Sequence, residues 1–365
     1  MIEFAGVTKQ YPDGTVAVDD LDLVVPDGNL VVFVGPSGCG KTTSMRMINR
    51  MIEPTSGTLT VNGEDVSKVD PVKLRLGIGY VIQSAGLMPH LRVVDNVATV
   101  PVLKGESRRS ARKAALGVLE RVGLDLKLAD RYPAQLSGGQ QQRVGVARAL
   151  AADPPILLMD EPFSAVDPVV REELQTEILR LQSELHKTIV FVTHDIDEAI
   201  KIGDTVAVFG RGGVLQQYDE PQRLLSNPAN DFVAGFIGAD RGYRGLQFRH
   251  ATGLRMHDIR ATDEAGVDGL ELRDGEWVLV TRPDGAPYAW IDGAGVTLHR
   301  SGKSLYDSTT AGGSLFRPED SLRQALDAAL SSPSGLGVAV DAGGMPIGGV
   351  LADDVLDALK QQRSP

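Results

Sequence analysis

The feature that most constrains the fold is a glycine-rich segment between an apolar run and an amphipathic one. Val31–Val34 predicts a buried strand, and Gly35-Pro-Ser-Gly-Cys-Gly-Lys-Thr-Thr43 follows it and opens a predicted helix at Lys41–Met51. This is the pattern G-x-x-x-x-G-K-[ST] in the strand–loop–helix context that it requires. Backbone N–H groups in such a loop point at phosphate oxygens, and the helix N-terminus adds its positive dipole end. The segment therefore predicts a phosphate site in an α/β fold, and a purely structural glycine-rich turn is the alternative.

Side chains within this loop have separate expected roles. Lys41 supplies a mobile charge for β- and γ-phosphates, and the Thr42 hydroxyl is a hard oxygen ligand for Mg²⁺. Cys39 is expected to offer its backbone N–H and not to act as a nucleophile. The predicted phosphate-binding residues are Gly35, Pro36, Ser37, Gly38, Cys39, Gly40, Lys41, Thr42 and Thr43.

Two acidic residues end another apolar run. Ile156–Met159 predicts a buried strand, and Asp160 and Glu161 follow it. Unpaired carboxylates near a core are costly, so a functional reason is expected for them. Asp160 is predicted to hold Mg²⁺ through water, and Glu161 to orient or deprotonate the attacking water. The alternative is that both acids only end the strand at solvent.

The first two-thirds of the chain alternates short β-branched runs with longer amphipathic stretches. This pattern predicts an α/β fold with a largely parallel sheet. Further strands are predicted at Ile189–Thr193 and Thr205–Phe209, and an antiparallel layer at Ile2–Tyr11 and Leu21–Val25. Further helices are predicted at Glu106–Val122, Gly138–Ala152, Pro168–His186 and Ile196–Lys201.

Composition excludes several classes of protein. A chain of 365 residues is too long for one ordinary core. A formal charge of −11 argues against nucleic acid as the main partner, and one cysteine excludes a disulfide within the chain and suits a reducing cytosol. The start MIEFAGVTKQ has no signal-peptide pattern, and no apolar run approaches the roughly 18 residues of a membrane span.

The segment Leu136-Ser-Gly-Gly-Gln140, placed before the Asp-Glu strand, resembles the signature of the ATP-binding cassette family. Ser137 and the amides of Gly138 and Gly139 predict a second anion site at a helix start. The resemblance implies that Ser137, Gly138, Gly139 and Gln140 close over the ATP held by another copy of the chain. It also implies an ATP hydrolase with ATP and Mg²⁺ as ligands and a homodimer as the active form.

Other positions match the family one by one. The resemblance implies that Tyr11 stacks on adenine, and that Gln83 contacts Mg²⁺ and water and begins the segment coupled to the membrane partner. It implies that Asp167 belongs to a loop communicating across the dimer, with Val166 where leucine is commoner. It implies that His194 contacts the γ-phosphate. Taken alone, Tyr11 would be a packing residue, Gln83 a surface residue and His194 a structural one.

Finer resemblance indicates osmoprotectant importers, which move glycine betaine, choline, carnitine or proline betaine. Fewer than a hundred residues separate Lys41 from Leu136, without the long coiled coil of chromosome-organising members. One cassette without membrane helices fits an importer ATPase on the cytoplasmic face of the membrane. Implied partners are permease subunits and an extracytoplasmic solute-binding protein. The alternatives are an importer for another small polar solute, such as an amino acid, and a soluble ATPase outside transport. The segments that carry the resemblance are Met47–Gly57, Gly77–Gln83, Gly86–His90 and Asn227–Phe232.

Two domains are predicted. Residues 1–238 form the nucleotide-binding domain, with a helical subdomain at about 84–152. Within it, Ser84–Val102 is the expected permease contact; its residues Leu87, Met88 and Leu91 form either the docking surface or part of the core.

Residues 239–365 hold a weak repeat of two strand–turn–strand units, Val278–Ile291 and Val338–Leu351. Helices are predicted beside the second unit, at Ser321–Leu330 and Asp353–Leu359, and none after the first. The region resembles paired cystathionine-β-synthase-type repeats, a degenerate one at about 245–292 and a fairer one at about 316–359. Asp354 matches a ribose-contacting acid, but Leu351 replaces the expected hydroxyl residue. A regulatory or dimer-stabilising role is therefore expected, ahead of nucleotide binding or a purely structural tail.

Overall fold

The structure, a computed structural model, describes residues 1–164 and 166–361, with no side-chain description for Gln361. The chain divides into two compact units, Met1–Ala239 and the remainder from Asp240 onward. Among the described residues, no helix is both long and apolar enough to span a bilayer.

The first unit contains ten strands and nine α-helices in its described part. Its strands are β1 (Ile2–Gln10), β2 (Val16–Val25), β3 (Leu30–Val34), β4 (Ser56–Val61), β5 (Glu64–Asp65), β6 (Ile78–Val81), β7 (Ile156–Asp160), β8 (Thr188–Thr193), β9 (Thr205–Phe209) and β10 (Leu215–Asp219). Its helices are α1 (Lys41–Ile48), α2 (Pro71–Leu76), α3 (Val93–Leu103), α4 (Arg108–Arg121), α5 (Gly138–Leu150), α6 (Pro168–Leu185), α7 (Ile196–Ile202), α8 (Pro221–Ser226) and α9 (Asp231–Ile237).

Six strands form the central sheet in the order β10-β9-β3-β8-β7-β6. All neighbours are parallel except β10, which pairs antiparallel with β9. Strands β3, β7 and β8 are buried along their whole length, as expected for a sheet covered on both faces. Because β3, β8 and β7 are adjacent and parallel, the loops that follow them meet at one edge of the sheet. The predicted α/β fold is confirmed.

A second sheet, β2-β1-β4-β5, is antiparallel and shares one apolar core with the central sheet. Helix α1 is shorter than the predicted Lys41–Met51. It ends at Ile48 because Arg50 adopts a left-handed φ of 52°, and the amides of Met51 and Ile52 both donate to the carbonyl of Arg46.

Helices α3, α4 and α5 pack together beside the sheet. Buried Asn96 orders the chain before α3: its amide donates to the carbonyls of Met88 and Leu91, and its oxygen accepts from the Met88 amide. Leu87, Met88 and Leu91 are half-buried, so both expected roles remain compatible with their positions.

The second unit contains six strands and five α-helices in its described part. They are α10 (Arg241–Gly245), β11 (Ala261–Asp263), β12 (Val278–Thr281), β13 (Pro287–Ile291), α11 (Gly293–Arg300), α12 (Leu305–Ser308), β14 (Thr310–Ala311), α13 (Leu322–Ser331), β15 (Leu336–Val340), β16 (Pro346–Leu351) and α14 (Ala352–Gln361). One sheet has the order β11-β12-β13-β14, and β15-β16 is a separate hairpin. Trp290 of the first hairpin packs with Val338 and Val340 of the second.

The prediction that no helix follows the first hairpin was wrong. Helix α11 begins directly after β13, as α14 does after β16. The sequence of α11 does not predict a helix, because Gly293 and Gly295 are poor helix formers, as are the β-branched residues that follow. The Asp292 carboxylate stabilises the start by accepting a hydrogen bond of 2.8 Å from the Gly295 amide.

Candidate functional site

The loop 35–40 joins β3 to α1 and has no room for side chains at two of its glycines. A Cβ on Gly35 would lie 2.3 Å from the carbonyl oxygen of Phe209, and one on Gly40 would lie 2.1 Å from that of Ala17. Gly40 also has a φ of 89°, which disfavours other residues. The backbone itself therefore forms the wall of the loop, as a phosphate-binding role requires.

Lys41 is buried, and its ammonium lies inside this loop. Its Nζ donates to the carbonyls of Gly35 at 2.7 Å and Pro36 at 2.9 Å. Among the described residues no carboxylate pairs with Lys41, so its charge is available to an anion in the loop. Burial raises the pKa of the Cys39 thiol, although the nearby Lys41 opposes this. A neutral, buried thiol is a poor nucleophile, in line with the expected role of Cys39.

Asp160, at the end of β7, faces the start of α1. Its Oδ1 accepts a hydrogen bond of 2.9 Å from the Thr42 hydroxyl, and its side chain is nearly buried. Its Oδ2 lies 3.5 Å from both the Tyr80 hydroxyl and Nη2 of Arg46. A hydroxyl and a carboxylate are the hard oxygen donors that Mg²⁺ prefers.

No group of three or more His, Cys, Asp or Glu side chains in the described part of the chain could hold a metal by itself. Mg²⁺ commonly uses one or two protein oxygens together with substrate phosphates and water.

Glu161 lies between two other predicted site residues. Its Oε2 is 3.3 Å from Nε2 of Gln83 and 3.3 Å from Nδ1 of His194. The three come together because β6, β7 and β8 are consecutive in the sheet, and each residue follows one of these strands. Glu161 has a left-handed φ of 44°, a conformation that is uncommon for this residue type. The arrangement presents a carboxylate, an amide and an imidazole to one small volume.

Ser137 to Gln140 form the start of α5. The Ser137 hydroxyl accepts from the Gln140 amide at 3.3 Å, and the Gln140 side chain accepts from the Ser137 amide at 3.0 Å. Among the described residues, none of the hydrogen bonds of this group reaches the phosphate loop. Within the described part of the chain, the two candidate anion sites therefore share no hydrogen bond.

Asp167 and Tyr11 occupy local positions of their own. The Asp167 carboxylate caps α6 by accepting from the Val170 amide at 3.1 Å. Tyr11 lies in a turn after β1, and Nζ of Lys9 is 5.4 Å from the centroid of its ring. The implied roles of these two residues in nucleotide contact stay predictions.

Three residues of the site region were missed from the sequence. Arg46 is one helical turn after Thr42, so its spacing could have placed it near Asp160. Tyr80 reaches Asp160 only through the pairing of β6 with β7, which no local pattern reveals. Arg148 of α5 donates to the carbonyls of Ala85 at 2.9 Å and Gly86 at 2.6 Å, and burial lowers its pKa.

Comparisons with known proteins agree with this geometry. Residues 18–164 match a family model described as ABC transporter. The carnitine transport ATP-binding protein OpuCA of Listeria monocytogenes is 53% identical over 241 residues, 66% of this chain. The chain spans 60% of the length of that relative. The glycine betaine uptake system ATP-binding protein YehX of Escherichia coli is 46% identical over 283 residues, 77% of this chain and 91% of YehX.

A solved structure is similar to the first part of the chain. It is the dimeric post-hydrolysis state of the ATP-binding cassette MJ0796 bound to ADP and Pi, with 34% sequence identity and a TM-score of 0.56. The match covers 60% of this chain and 99% of that one.

Proposed function

Because this chain belongs to the family of ABC transporter ATP-binding proteins, we propose that it is the ATP-hydrolysing subunit of an importer for a quaternary-amine osmoprotectant. The solute class is glycine betaine, choline, carnitine or proline betaine. Two observations support ATP hydrolysis. The Thr42 hydroxyl contacts Asp160 beside the phosphate loop. Glu161 lies close to Gln83 and His194. The printed functions of OpuCA and YehX support the solute class.

In this proposal the loop 35–40 and Lys41 bind the β- and γ-phosphates of ATP. Thr42, Asp160 and Gln83 would hold Mg²⁺, which neutralises charge on the phosphate oxygens when it is bound. Lys41 gives up its carbonyl partners for phosphate oxygens, because a charge-assisted hydrogen bond to an anion is the stronger interaction.

Glu161 orients the attacking water and accepts its proton. His194, with its Nδ1 near the same carboxylate, stabilises charge that develops on the γ-phosphate. Chemistry of this kind depends on positioning and on electrostatics, which explains why a strained residue such as Glu161 is placed at the strand end.

Two copies of the chain are proposed to close around two ATP molecules. The start of α5 supplies a serine hydroxyl and helix amides that make no hydrogen bond to the chain's own phosphate loop in the described residues. This helix start is an anion site suited to a phosphate held by a second copy. The dimeric form of the similar cassette MJ0796 supports the arrangement.

The partners in this proposal are permease subunits, with an extracytoplasmic solute-binding protein completing the system. The chain lies on the cytoplasmic face of the membrane, and Ser84–Val102 contacts the permease. An importer for another polar solute, such as an amino acid, would use the same ATPase, and a soluble ATPase outside transport would lack the permease.

Reconstitution with the permease and binding protein in liposomes tests the proposal. We expect uptake of labelled glycine betaine, or of another quaternary amine, into liposomes only when MgATP is enclosed in the lumen, on the same side of the membrane as this ATPase subunit. Uptake of amino acids, with no uptake of quaternary amines, would contradict the proposed solute class. Failure to bind any permease, together with full ATPase activity, would contradict the transport function.

The second unit is proposed to regulate transport or to stabilise the dimer. At Asp354, the position of the ribose-contacting acid, the carboxylate accepts from the Leu351 amide at 2.9 Å and contacts Nε2 of His257 at 2.8 Å. Burial opposes its ionisation, but these hydrogen bonds and nearby cations lower its pKa. A carboxylate that is already engaged favours regulation without a bound nucleotide.

We propose that the second unit makes uptake depend on ionic strength, so truncation after Ala239 should leave ATP hydrolysis and remove this dependence on salt. Contacts between exposed charges weaken as the Debye length falls from about 10 Å at 0.1 M salt to about 3 Å at 1 M salt. Uptake by liposomes carrying the full or truncated chain, measured across a salt series, checks this expectation. Equal salt activation of both forms would contradict the regulatory role.

A further inference from the structure

A buried glutamate contacts the two chain neighbours of His194. Glu198 of α7 is only 7% exposed, and its Oε2 accepts a hydrogen bond of 2.6 Å from the Thr193 hydroxyl. That hydroxyl oxygen in turn accepts from the Asp195 amide at 3.0 Å. The Asp195 carboxylate closes the set by accepting from the Glu198 amide. Both chain neighbours of His194 are therefore held by contacts that include Glu198.

Arg171 of α6 joins this set to the segment before α6. Its Nε lies 3.7 Å from Oε1 of Glu198, and its Nη1 lies 3.8 Å from Oδ2 of Asp195. Its Nη2 donates to the Val166 carbonyl at 3.5 Å. One guanidinium thus contacts the residue preceding Asp167 and both acids that surround the His194 backbone.

The contact between Arg171 and Glu198 is not fully formed. The Arg171 Nε is buried and has no hydrogen-bond partner among the described residues. A hydrogen bond between nitrogen and oxygen spans roughly 2.7–3.2 Å, so a shift of roughly 0.5–1 Å would form one here. A buried N–H without a partner is unfavourable, and a small movement of α6 toward α7 would satisfy it.

We propose that Arg171 and Glu198 are positioning residues for His194, and that they transmit the position of the Val166 carbonyl to the His194 imidazole. This inference rests on the proposed ATPase function and deepens it. Movement of the Val166 segment on closure of two copies would draw the guanidinium onto Glu198. The Thr193 and Asp195 contacts then fix the imidazole beside Glu161, where it contacts the γ-phosphate.

The groups around Glu198 make its interaction with Arg171 depend on pH. Burial raises the pKa of the Glu198 carboxyl, the Thr193 hydrogen bond lowers it, Asp195 raises it, and Arg171 and His194 lower it; the net direction is upward. Among the described residues, the charged or titratable groups that contribute to this shift are Asp195, Arg171 and His194. As the pH falls, Glu198 therefore takes up a proton at a higher pH than an ordinary glutamate, and its attraction to Arg171 is lost.

The test uses Glu198→Gln, which keeps the size of the side chain and an oxygen acceptor for Thr193, and Arg171→Gln. In the full-length dimer we expect each variant to lower the kcat of ATP hydrolysis about tenfold, since small displacements of a positioned group are costly. The KM for ATP should change less than about twofold. The double variant should lose no more than either single variant, because both disrupt one link.

A surface ion pair between the same two helices, α6 and α7, provides a matched control. Nζ of Lys201 lies 3.3 Å from Oε1 of Glu172, and the Glu172 side chain is exposed. Glu172→Gln should leave kcat and the KM for ATP unchanged. As the pH is lowered, the ratio of wild-type kcat to Glu198→Gln kcat should approach one, which a merely structural role of Glu198 would not produce.

Wild-type kcat in Glu198→Gln would overturn the proposal, as would losses that add in the double variant. A lower kcat accompanied by comparably weaker ATP binding, or by a clearly lower Tm, would also overturn it, because the residue would then act on folding. These outcomes differ from failure of the proposed function, in which the wild-type chain itself would not hydrolyse ATP.

Discussion

Replacing Glu161 by glutamine should nearly abolish ATP hydrolysis and leave ATP binding intact. Glutamine has the same size and can still meet Gln83 and His194, but it cannot accept a proton from water. General base catalysis contributes about 10²–10⁴-fold, so we expect kcat to fall at least about 100-fold. Single-turnover hydrolysis and equilibrium binding of labelled ATP measure the two effects separately.

The same variant should accumulate as an ATP-bound dimer, visible as a shift in size-exclusion elution that requires MgATP. Glu184→Gln is the control, since Glu184 is a half-exposed partner of Arg180 on α6. It should hydrolyse ATP at the wild-type rate. Sustained wild-type turnover by Glu161→Gln would show that another group accepts the proton.

Two inactive variants should restore activity when they are mixed. Lys41→Ala removes the ammonium from the phosphate loop, and Ser137→Asp places a negative charge where the start of α5 would meet phosphate. Aspartate is also a good helix N-cap residue, so the second change preserves the start of α5. Each homodimer has both of its composite sites damaged, and we expect hydrolysis at background level.

In the mixed dimer both substitutions fall on one composite site, and the other is intact. If chains exchange freely, half of the dimers are mixed and each has one working site, so about a quarter of wild-type activity should return. ATPase assays of each variant and of the mixture, after co-refolding or co-expression, measure this. No recovery in a mixture shown to contain mixed dimers would contradict a site built from two chains.

Local patterns were sufficient for the phosphate loop. The loop 35–40, Lys41 and Thr42 are contiguous, and their geometry follows from a strand, a glycine-rich turn and a helix start. The meeting of Asp160 with Thr42 was also predictable, because carboxyl ends of parallel strands share one edge of the sheet. Both follow from the alternation of strands and helices that the sequence displays.

Contacts set by tertiary packing were not predictable in this way. Arg171 and Glu198 are 27 residues apart and meet only because α6 and α7 lie on neighbouring parts of the sheet. Tyr80 meets Asp160 through the register of β6 with β7. Helix α11 was missed for a different reason, since Asp292 and packing stabilise a sequence of low helix propensity.

Helix α5 connects two parts of the first unit that are far apart in sequence. Ser137 caps one end, and Arg148, near the other end, grips the carbonyls of Ala85 and Gly86, which both have left-handed φ angles. Arg148 is eleven residues after Ser137, a distance of about 16 Å at 1.5 Å per residue. Helix α5 therefore connects Ser137 to the chain after Gln83 through the hydrogen bonds of Arg148. If the proposed dimer forms, a phosphate held by the second copy at the start of α5 would be connected through this helix to Ser84–Val102, the proposed permease contact.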